Sequence, residues 1–366
     1  MKQLLFIFIS LVFFLGCSKE PKVLFDTLPQ TQLRESTYSN LPNWESENYD
    51  EVLDSFIWNC QAKKSQKIYG NLCEKAKGIV YHDTKKFIEN NFTPYMIQSS
   101  DKNIESILTG YYEPELRGSL VKNEIYKYPI YETPKDLVTV DLSSIYPDLK
   151  NYRLRGRLAG NRLVPYYSRA ELNSVDINAE VICYCDSKID KFFLEVQGSG
   201  RVTLDSGETI FIGFANQNGH KYKSIGKYLV QSGEISKEDI SLQSIREWFM
   251  INPTRVDEVL NHNTSVVFFE KRDRAATGSL GVVLSPLRSI AVDRRYIPLG
   301  SMVYVGAENS YKRMAFAQDT GGAIKGSVRA DMFLGFGKSA GEIAGELKAP
   351  LKLWILIPKD KVKSKI

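Results

Sequence analysis

The stretch Met314-Ala315-Phe316-Ala317-Gln318-Asp319-Thr320-Gly321-Gly322-Ala323-Ile324-Lys325-Gly326-Ser327-Val328-Arg329-Ala330-Asp331-Met332-Phe333-Leu334 carries the fold in miniature. Two short apolar runs, residues 314–316 and 332–334, flank a segment that opens on two adjacent glycines. A glycine pair lets backbone turn sharply or lie close to a ligand. Apolar runs this short, separated by Gly and Pro, read as strands rather than helices. Working outward, the same pattern covers residues 266–269, 282–284, 290–292, 302–305 and 353–357. Short strands so divided predict a mainly β fold closed into a barrel.

Farther upstream, Tyr111, Tyr112, Tyr126, Tyr128, Ile130 and Tyr131 alternate with polar residues, and residues 181–185, 192–197 and 209–214 continue a strand-rich pattern. Two regions have helical spacing instead. One spans residues 41–100, with Trp44, Val52, Leu53, Phe56, Ile57, Phe87, Ile88 and Phe92. The other runs from about residue 224 to 259, with Ile225, Tyr228, Leu229, Ile245, Trp248 and Phe249. Pro253 is placed to start the last helix there, where its missing N–H costs nothing.

Hydrophobic residues make up 43% of the chain and charged ones 25%, so it can bury a core and is not a disordered polymer. The formal net charge of +5 is spread out, with no Lys/Arg block, which argues against nucleic acid as a partner. The 20 Tyr and 18 Phe supply rings that could stack on sugar, although most such rings serve cores and strands.

Lys2 precedes an apolar run at residues 4–15, followed by Gly16-Cys17-Ser18. The run is shorter than the roughly 20 residues a spanning helix needs, so residues 1–17 are expected to be a secretory signal. The ending Phe14-Leu15-Gly16-Cys17 resembles a bacterial lipobox, with Phe14 where Leu is usual. Lipidation of Cys17 would anchor the chain without spanning the membrane. Ser18 stands where an Asp would favour the inner membrane, so the expected address is the periplasmic side of the outer membrane. Residues 18–40, polar and Pro-containing, read as a tether. Export permits disulfides. Cys60 and Cys73 could bridge two helical segments, whereas Cys183 and Cys185 share one strand face and pair poorly with each other.

The chain has three histidines, His82, His220 and His262, none at metal-ligand spacing, and it has no Gly-x-Ser-x-Gly elbow. Neither a metal nor another cofactor is expected. Gly337-Lys338-Ser339 looks like the end of a phosphate loop, but Met332 stands where that loop needs its first Gly. Asp319-Thr320-Gly321 looks like an aspartic-protease triplet, but that chemistry needs two such aspartates sharing a proton. Carboxylate chemistry remains; glycosidic-bond cleavage by that chemistry would need a proton donor, hence a carboxyl whose pKa burial has raised. Asp331, between Ala330 and Met332, is a candidate for that donor. The plainer reading is that Asp319 or Asp331 caps a turn or pairs with Arg329 or Lys325.

Several ordered blocks sharpen this reading. They are Leu108-Thr109-Gly110-Tyr111-Tyr112-Glu113-Pro114, Tyr128-Pro129-Ile130-Tyr131, Glu195-Val196-Gln197-Gly198-Ser199-Gly200, Asn218-Gly219-His220-Lys221-Tyr222-Lys223-Ser224-Ile225-Gly226, Val266-Val267-Phe268-Phe269, Arg288-Ser289-Ile290-Ala291-Val292-Asp293, Ile297-Pro298-Leu299-Gly300 and the 319–326 segment. In these blocks the chain resembles the membrane-bound lytic murein transglycosylase A (MltA) family over roughly residues 105–357. The resemblance implies a double-psi β-barrel domain, here residues 41–109 and 273–360, with a smaller β-domain inserted at residues 110–272 and glycan in the groove between them. It implies cleavage of the β-1,4 bond between N-acetylmuramic acid and N-acetylglucosamine in peptidoglycan, without water, leaving 1,6-anhydromuramoyl ends. In that family one aspartate is acid and then base, and Asp331 matches it. Asp319 is expected to support the Gly-Gly turn or orient Asp331. Tyr111 and Tyr112 are candidates for stacking on sugar; Gln197, Ser199 and Asn218 for hydrogen bonds to its substituents; and Lys325 for an anionic group. His220, alone, reads as structural. Cell-wall synthesis or division proteins are conceivable partners.

Overall fold

The computed structural model describes residues 32–99, 105–152 and 154–362. The expected signal segment, Cys17 and residues 18–31 of the expected tether lie outside them. The described chain opens with β1 (Gln32–Glu35) and four helices, α1 (Tyr49–Asn59), α2 (Lys63–Tyr69), α3 (Leu72–Lys77) and α4 (Thr84–Asn91), then β2 (Phe92–Gln98) and β3 (Ile107–Glu113). A middle portion follows: β4 (Glu115–Ser119), β5 (Tyr128–Tyr131), β6 (Val138–Val140), β7 (Leu154–Ala159), β8 (Arg162–Val164), α5 (Arg169–Leu172), β9 (Val181–Cys185), α6 (Lys188–Gln197), β10 (Ser199–Leu204) and β11 (Thr209–Gln217). It continues through α7 (Ile225–Gln231), α8 (Leu242–Ile251), α9 (Val256–His262) and β12 (Val267–Arg272). The last part is β13 (Ser289–Val292), β14 (Met302–Ala307), β15 (Lys312–Asp319), β16 (Arg329–Phe336), α10 (Gly337–Glu346) and β17 (Lys348–Pro358).

Eight strands form one sheet in the order β1-β2-β17-β14-β15-β13-β16-β3, and β17 also pairs with β3. That last pairing closes six of them into a ring, β17-β14-β15-β13-β16-β3. Closure removes open edges from those six strands. Strand β14 is buried along its whole length because its alternating side chains meet apolar layers on both faces. Val303, Val305, Ala315, Ala317, Leu353 and Ile355 share one cluster with Leu108, Ile290, Ala330 and Met332, which fills the ring. Met302, Tyr304, Met314, Phe316, Trp354 and Leu356 point the other way, onto a helical layer that includes Phe56, Ile68, Leu72 and Phe87. The Cys60–Cys73 disulfide ties the end of α1 to α3 within that layer.

The middle portion builds a six-stranded sheet, β12-β11-β10-β4-β9-β5, and a small three-stranded one, β6-β7-β8. Strand β3 stays in the first sheet through Glu113, so the chain passes to the second sheet at Pro114, beyond the expected border at Gly110. Cys183 and Cys185 are buried free thiols on one face of β9.

The structure corrects five local expectations. Residues 192–197 are helical, not extended: the Ser187 side chain caps α6 by accepting from the Asp190 N–H, and Gly198 ends it at φ 84°. Phe92 begins β2 rather than continuing a helix. Residues 282–284 form no strand, only a bridge between Thr277 and Val283. Part of the expected tether, residues 32–35, is β1, paired antiparallel with β2. Helix α10 stands where no helix is expected, because Gly337, Gly341 and Gly345 weaken its helical signal. Its glycines permit close packing instead: a Cβ on Gly341 would come within 2.8 Å of the Tyr112 ring.

Candidate active site

Strand register puts the key residues in one lateral row. Ala291 on β13 is opposite Asp319 on β15 and also opposite Asp331 on β16. Asp331 is opposite Thr109 on β3, and Thr109 is opposite Lys348 on β17. The two aspartates thus flank one alanine, with their Cα atoms two strand spacings, about 10 Å, apart.

Ala330 and Met332 pack inside the ring, so alternation turns Arg329, Asp331 and Phe333 to its outer face. Ala330 and Met332 therefore do not surround the Asp331 carboxyl; Thr109 on the adjoining β3 and Arg329, two residues back on β16, do. Thr109 Oγ1 donates to Asp331 Oδ1 at 2.5 Å. Arg329 Nη2 donates to Thr109 Oγ1 at 2.8 Å. Arg329 thus reaches the carboxyl through a hydroxyl, and the two residues form no direct ion pair. Burial pushes the Asp331 carboxyl above the ordinary aspartate value; Thr109 and Arg329 pull it down, and Asp319 adds a smaller upward push. The residue still keeps part of its surface open.

Asp319 is held differently. Its Oδ1 accepts from the Ser279 N–H and hydroxyl, both at 2.9 Å, and from the Thr320 N–H at 2.8 Å. Its Oδ2 accepts from the Tyr111 hydroxyl at 3.1 Å. Burial raises this carboxyl too, against the pull of those four donors. The turn at residues 320–326 is pinned at its other end by Asp293, whose Oδ2 accepts from the Gly326 N–H at 3.0 Å. Asp319 therefore anchors the Gly-Gly segment.

Other expected site residues divide sharply. Tyr111 shares the face of Thr109; its ring is buried against Phe333, 5.3 Å between centroids, and its hydroxyl braces Asp319. Tyr112 points to the opposite face and is buried over Gly341. Gln197 Oε1 accepts from the Tyr112 backbone N–H at 3.2 Å, which docks the end of α6 on β3. Ser199, half-buried, opens β10 opposite Gly213. Asn218 is fully committed: its Nδ2 donates to the Tyr167 and Thr264 carbonyls at 2.9 Å each, and its Oδ1 accepts from the Val266 N–H at 3.0 Å and the His220 N–H at 3.3 Å. Both donors and both acceptor positions of the Asn218 amide are thus taken within the protein. His220 Nε2 lies 2.8 Å from the Tyr166 carbonyl oxygen, in keeping with a structural role. Lys325 is exposed on the 320–328 loop.

Sequence reasoning misses Thr109 and Ser279 as partners of the two aspartates. A cleft of about 410 Å³ opens beside Thr109, between residues 238–241 of the middle portion and residues 344–348 at the end of α10 and the start of β17.

Comparison with known proteins agrees with this architecture. The profile of the MltA specific insert domain matches residues 107–270, and that of the 3D domain matches residues 288–357. The chain is 30% identical over 311 residues to the membrane-bound lytic murein transglycosylase A of Escherichia coli K12, covering 80% of this chain and 78% of that protein. It superposes on the crystal structure of MltA from Neisseria gonorrhoeae with a TM-score of 0.78 at 32% identity, over 90% of this chain and 93% of the other. The Escherichia coli MltA structure with bound chitohexaose matches with a TM-score of 0.65 at 25% identity, over 90% and 95% of the two chains. By its sequence and its fold, this chain belongs to the MltA family.

Proposed function

We propose that this protein is a lytic transglycosylase that cleaves the β-1,4 bond between N-acetylmuramic acid and N-acetylglucosamine in peptidoglycan, with Asp331 as the single acid and base. The observation that carries this reading is the asymmetry of the two buried aspartates: Asp319 has four donors and Asp331 one. Hydrolysis by two carboxyls needs the second one free as base or nucleophile. With Asp319 committed to its turn, a reaction that needs only one free carboxyl fits better.

Protonated Asp331 donates to the leaving glycosidic oxygen as the bond to C1 breaks. Positive charge grows at C1 of the muramoyl residue. The carboxylate left behind then takes the proton of that sugar's own C6 hydroxyl while its oxygen attacks C1. The products are a free 4-hydroxyl on one strand and a 1,6-anhydro ring on the other. The nucleophile is part of the substrate, so a high effective molarity replaces an activated water. A carboxyl raised by burial suits the first step, because it keeps more of its proton near neutral pH.

Glycan occupying the cleft beside Thr109 would lie one hydrogen bond from Asp331. In this reading the six-strand ring is a double-psi β-barrel, and the β-domain inserted near residues 110–272 walls the groove. The chitohexaose in the Escherichia coli relative supports a glycan-binding groove in this fold. Lipid on Cys17 would hold the enzyme on the periplasmic side of the outer membrane, within reach of murein and of cell-wall synthesis or division proteins. Among the described residues no helix is long and apolar enough to cross a membrane. Incubation with purified sacculi followed by muropeptide analysis tests the reading. Release of 1,6-anhydromuramoyl products is expected. Reducing muramoyl ends would make the protein a hydrolase, and sacculi that bind protein but stay intact would make it a non-catalytic binder.

A further inference from the structure

Thr109 sits between a group that can only donate and a group that must change its protonation during the proposed reaction. A guanidinium has five N–H donors and no acceptor. The 2.8 Å contact from Arg329 Nη2 therefore uses a lone pair of Thr109 Oγ1. The hydroxyl has one proton, and the 2.5 Å contact places Asp331 Oδ1 where that proton goes. Arg329 is in turn fixed by donating from Nη1 to the Ile107 carbonyl at 3.3 Å, on the strand that carries Thr109, and to the Ala330 carbonyl. The hydroxyl cannot reverse while Arg329 stays in place.

Resting on the assignment of Asp331 as acid and base, the geometry points to Thr109 and Arg329 as positioning residues. Their one-way relay keeps a donor on Oδ1 of Asp331 in both protonation states and leaves Oδ2 as the oxygen that gives and takes the proton. One oxygen thus serves both steps, and the carboxyl need not rotate between protonating the leaving group and collecting the C6 proton. The fixed donor also favours the carboxylate, so burial raises the proton affinity of Asp331 without locking the proton on. The other charged or titratable groups around this point are Asp319, which adds a small upward push, the Tyr111 hydroxyl, held on Asp319, exposed Lys348, opposite Thr109 on β17, and Glu238, Asp239 and Glu346, which line the cleft beside Thr109. Glu105 acts on Arg329. None of these occupies the Thr109 hydroxyl.

Thr109→Val keeps the shape and deletes the donor. The alkaline limb of kcat/KM reports ionisation of the acid in the free enzyme, so this variant is expected to move that limb upward by about one pH unit, with kcat down roughly 10- to 100-fold. Thr109→Ser should restore both. Arg329→Met, which keeps the hydroxyl but frees it to turn, should move the limb in the same direction; Arg329→Lys should recover part of the shift. If kcat falls in folded Thr109→Val while the limb stays, the pair is only structural and the relay is wrong. A limb that moves downward, or that Thr109→Ser does not restore, also overturns it. Should Thr109→Val fail to fold, the Arg329→Met profile decides on the same criterion. Asp331→Asn separates the two levels: an inactive Asp331→Asn variant beside an unmoved limb sinks the relay alone, whereas an active one sinks the assignment of Asp331 beneath it.

Discussion

Asp319 and Asp331 occupy neighbouring corners of one face, on either side of Ala291, and they are built to opposite ends. The Asp319 corner is saturated: two backbone N–H groups and two hydroxyls converge on its carboxyl. The Asp331 corner has one hydroxyl, from Thr109, a residue that also lines a cleft. Burial raises both carboxyls, so burial alone does not choose between them. The number of donors does: a carboxylate that holds a loop together cannot let go of its partners on every turnover, whereas one with a single fixed donor has an oxygen to spare.

The contrast breaks first under stability measurements. Asp319→Ala would leave its donors without their shared acceptor and free the 320–326 turn, at a cost of about 2–4 kcal/mol in urea unfolding. A loss under about half a kcal/mol would show that the saturated corner is not structural. Asn218, equally saturated but in the middle portion, should behave alike. Asn218→Ala is expected to cost about 2–3 kcal/mol and leave KM for glycan within a factor of about two. A large rise in KM without loss of stability would return Asn218 to the substrate site. The smallest effect has the opposite sign. Above its folded pKa, Asp331 is a partly desolvated charge that the Thr109 donor and Arg329 offset only in part, so Asp331→Asn should stabilise the protein near neutral pH by about 0.5–2 kcal/mol, seen as a higher Tm. The folded pKa lies above the unfolded one, so this gain should fade as pH falls through the folded value and vanish below the ordinary 3.8, where both states are protonated. A gain that grows in acid would contradict the assigned shift.

How much of this can be read in the sequence depends on how local each cause is. The short strands around residues 290–357 declare themselves, because glycines and prolines cut apolar runs to strand length. The Cys60–Cys73 bridge is one of the legible possibilities. Residues 192–197 mislead because Phe192, Leu194 and Val196 alternate with other residues as a strand would; the Ser187 cap and the Gly198 stop are the overlooked helix signals. Helix α10 hides because its glycines lower its helical propensity while serving contacts with Tyr112 and Gln243, which only the tertiary fold reveals. The choice of Asp331 over Asp319 rests on family blocks, since spacing alone favours a bland role for both. Thr109 as a partner of Asp331 is beyond reach: the two lie 222 residues apart and meet only through the parallel register of β3 and β16. Strand alternation along β3 separates Tyr111 from Tyr112, which sequence reasoning pairs as sugar platforms.

The most direct test puts Asp331→Asn and Asp319→Asn side by side on sacculi, scoring 1,6-anhydromuramoyl ends per folded molecule. The asymmetric account predicts that the Asp331→Asn protein folds, binds glycan and loses at least about 10³-fold in rate, while the Asp319→Asn protein is less stable but keeps measurable turnover when folded. Equal activity of Asp331→Asn and the wild type, or loss confined to Asp319→Asn, would contradict it.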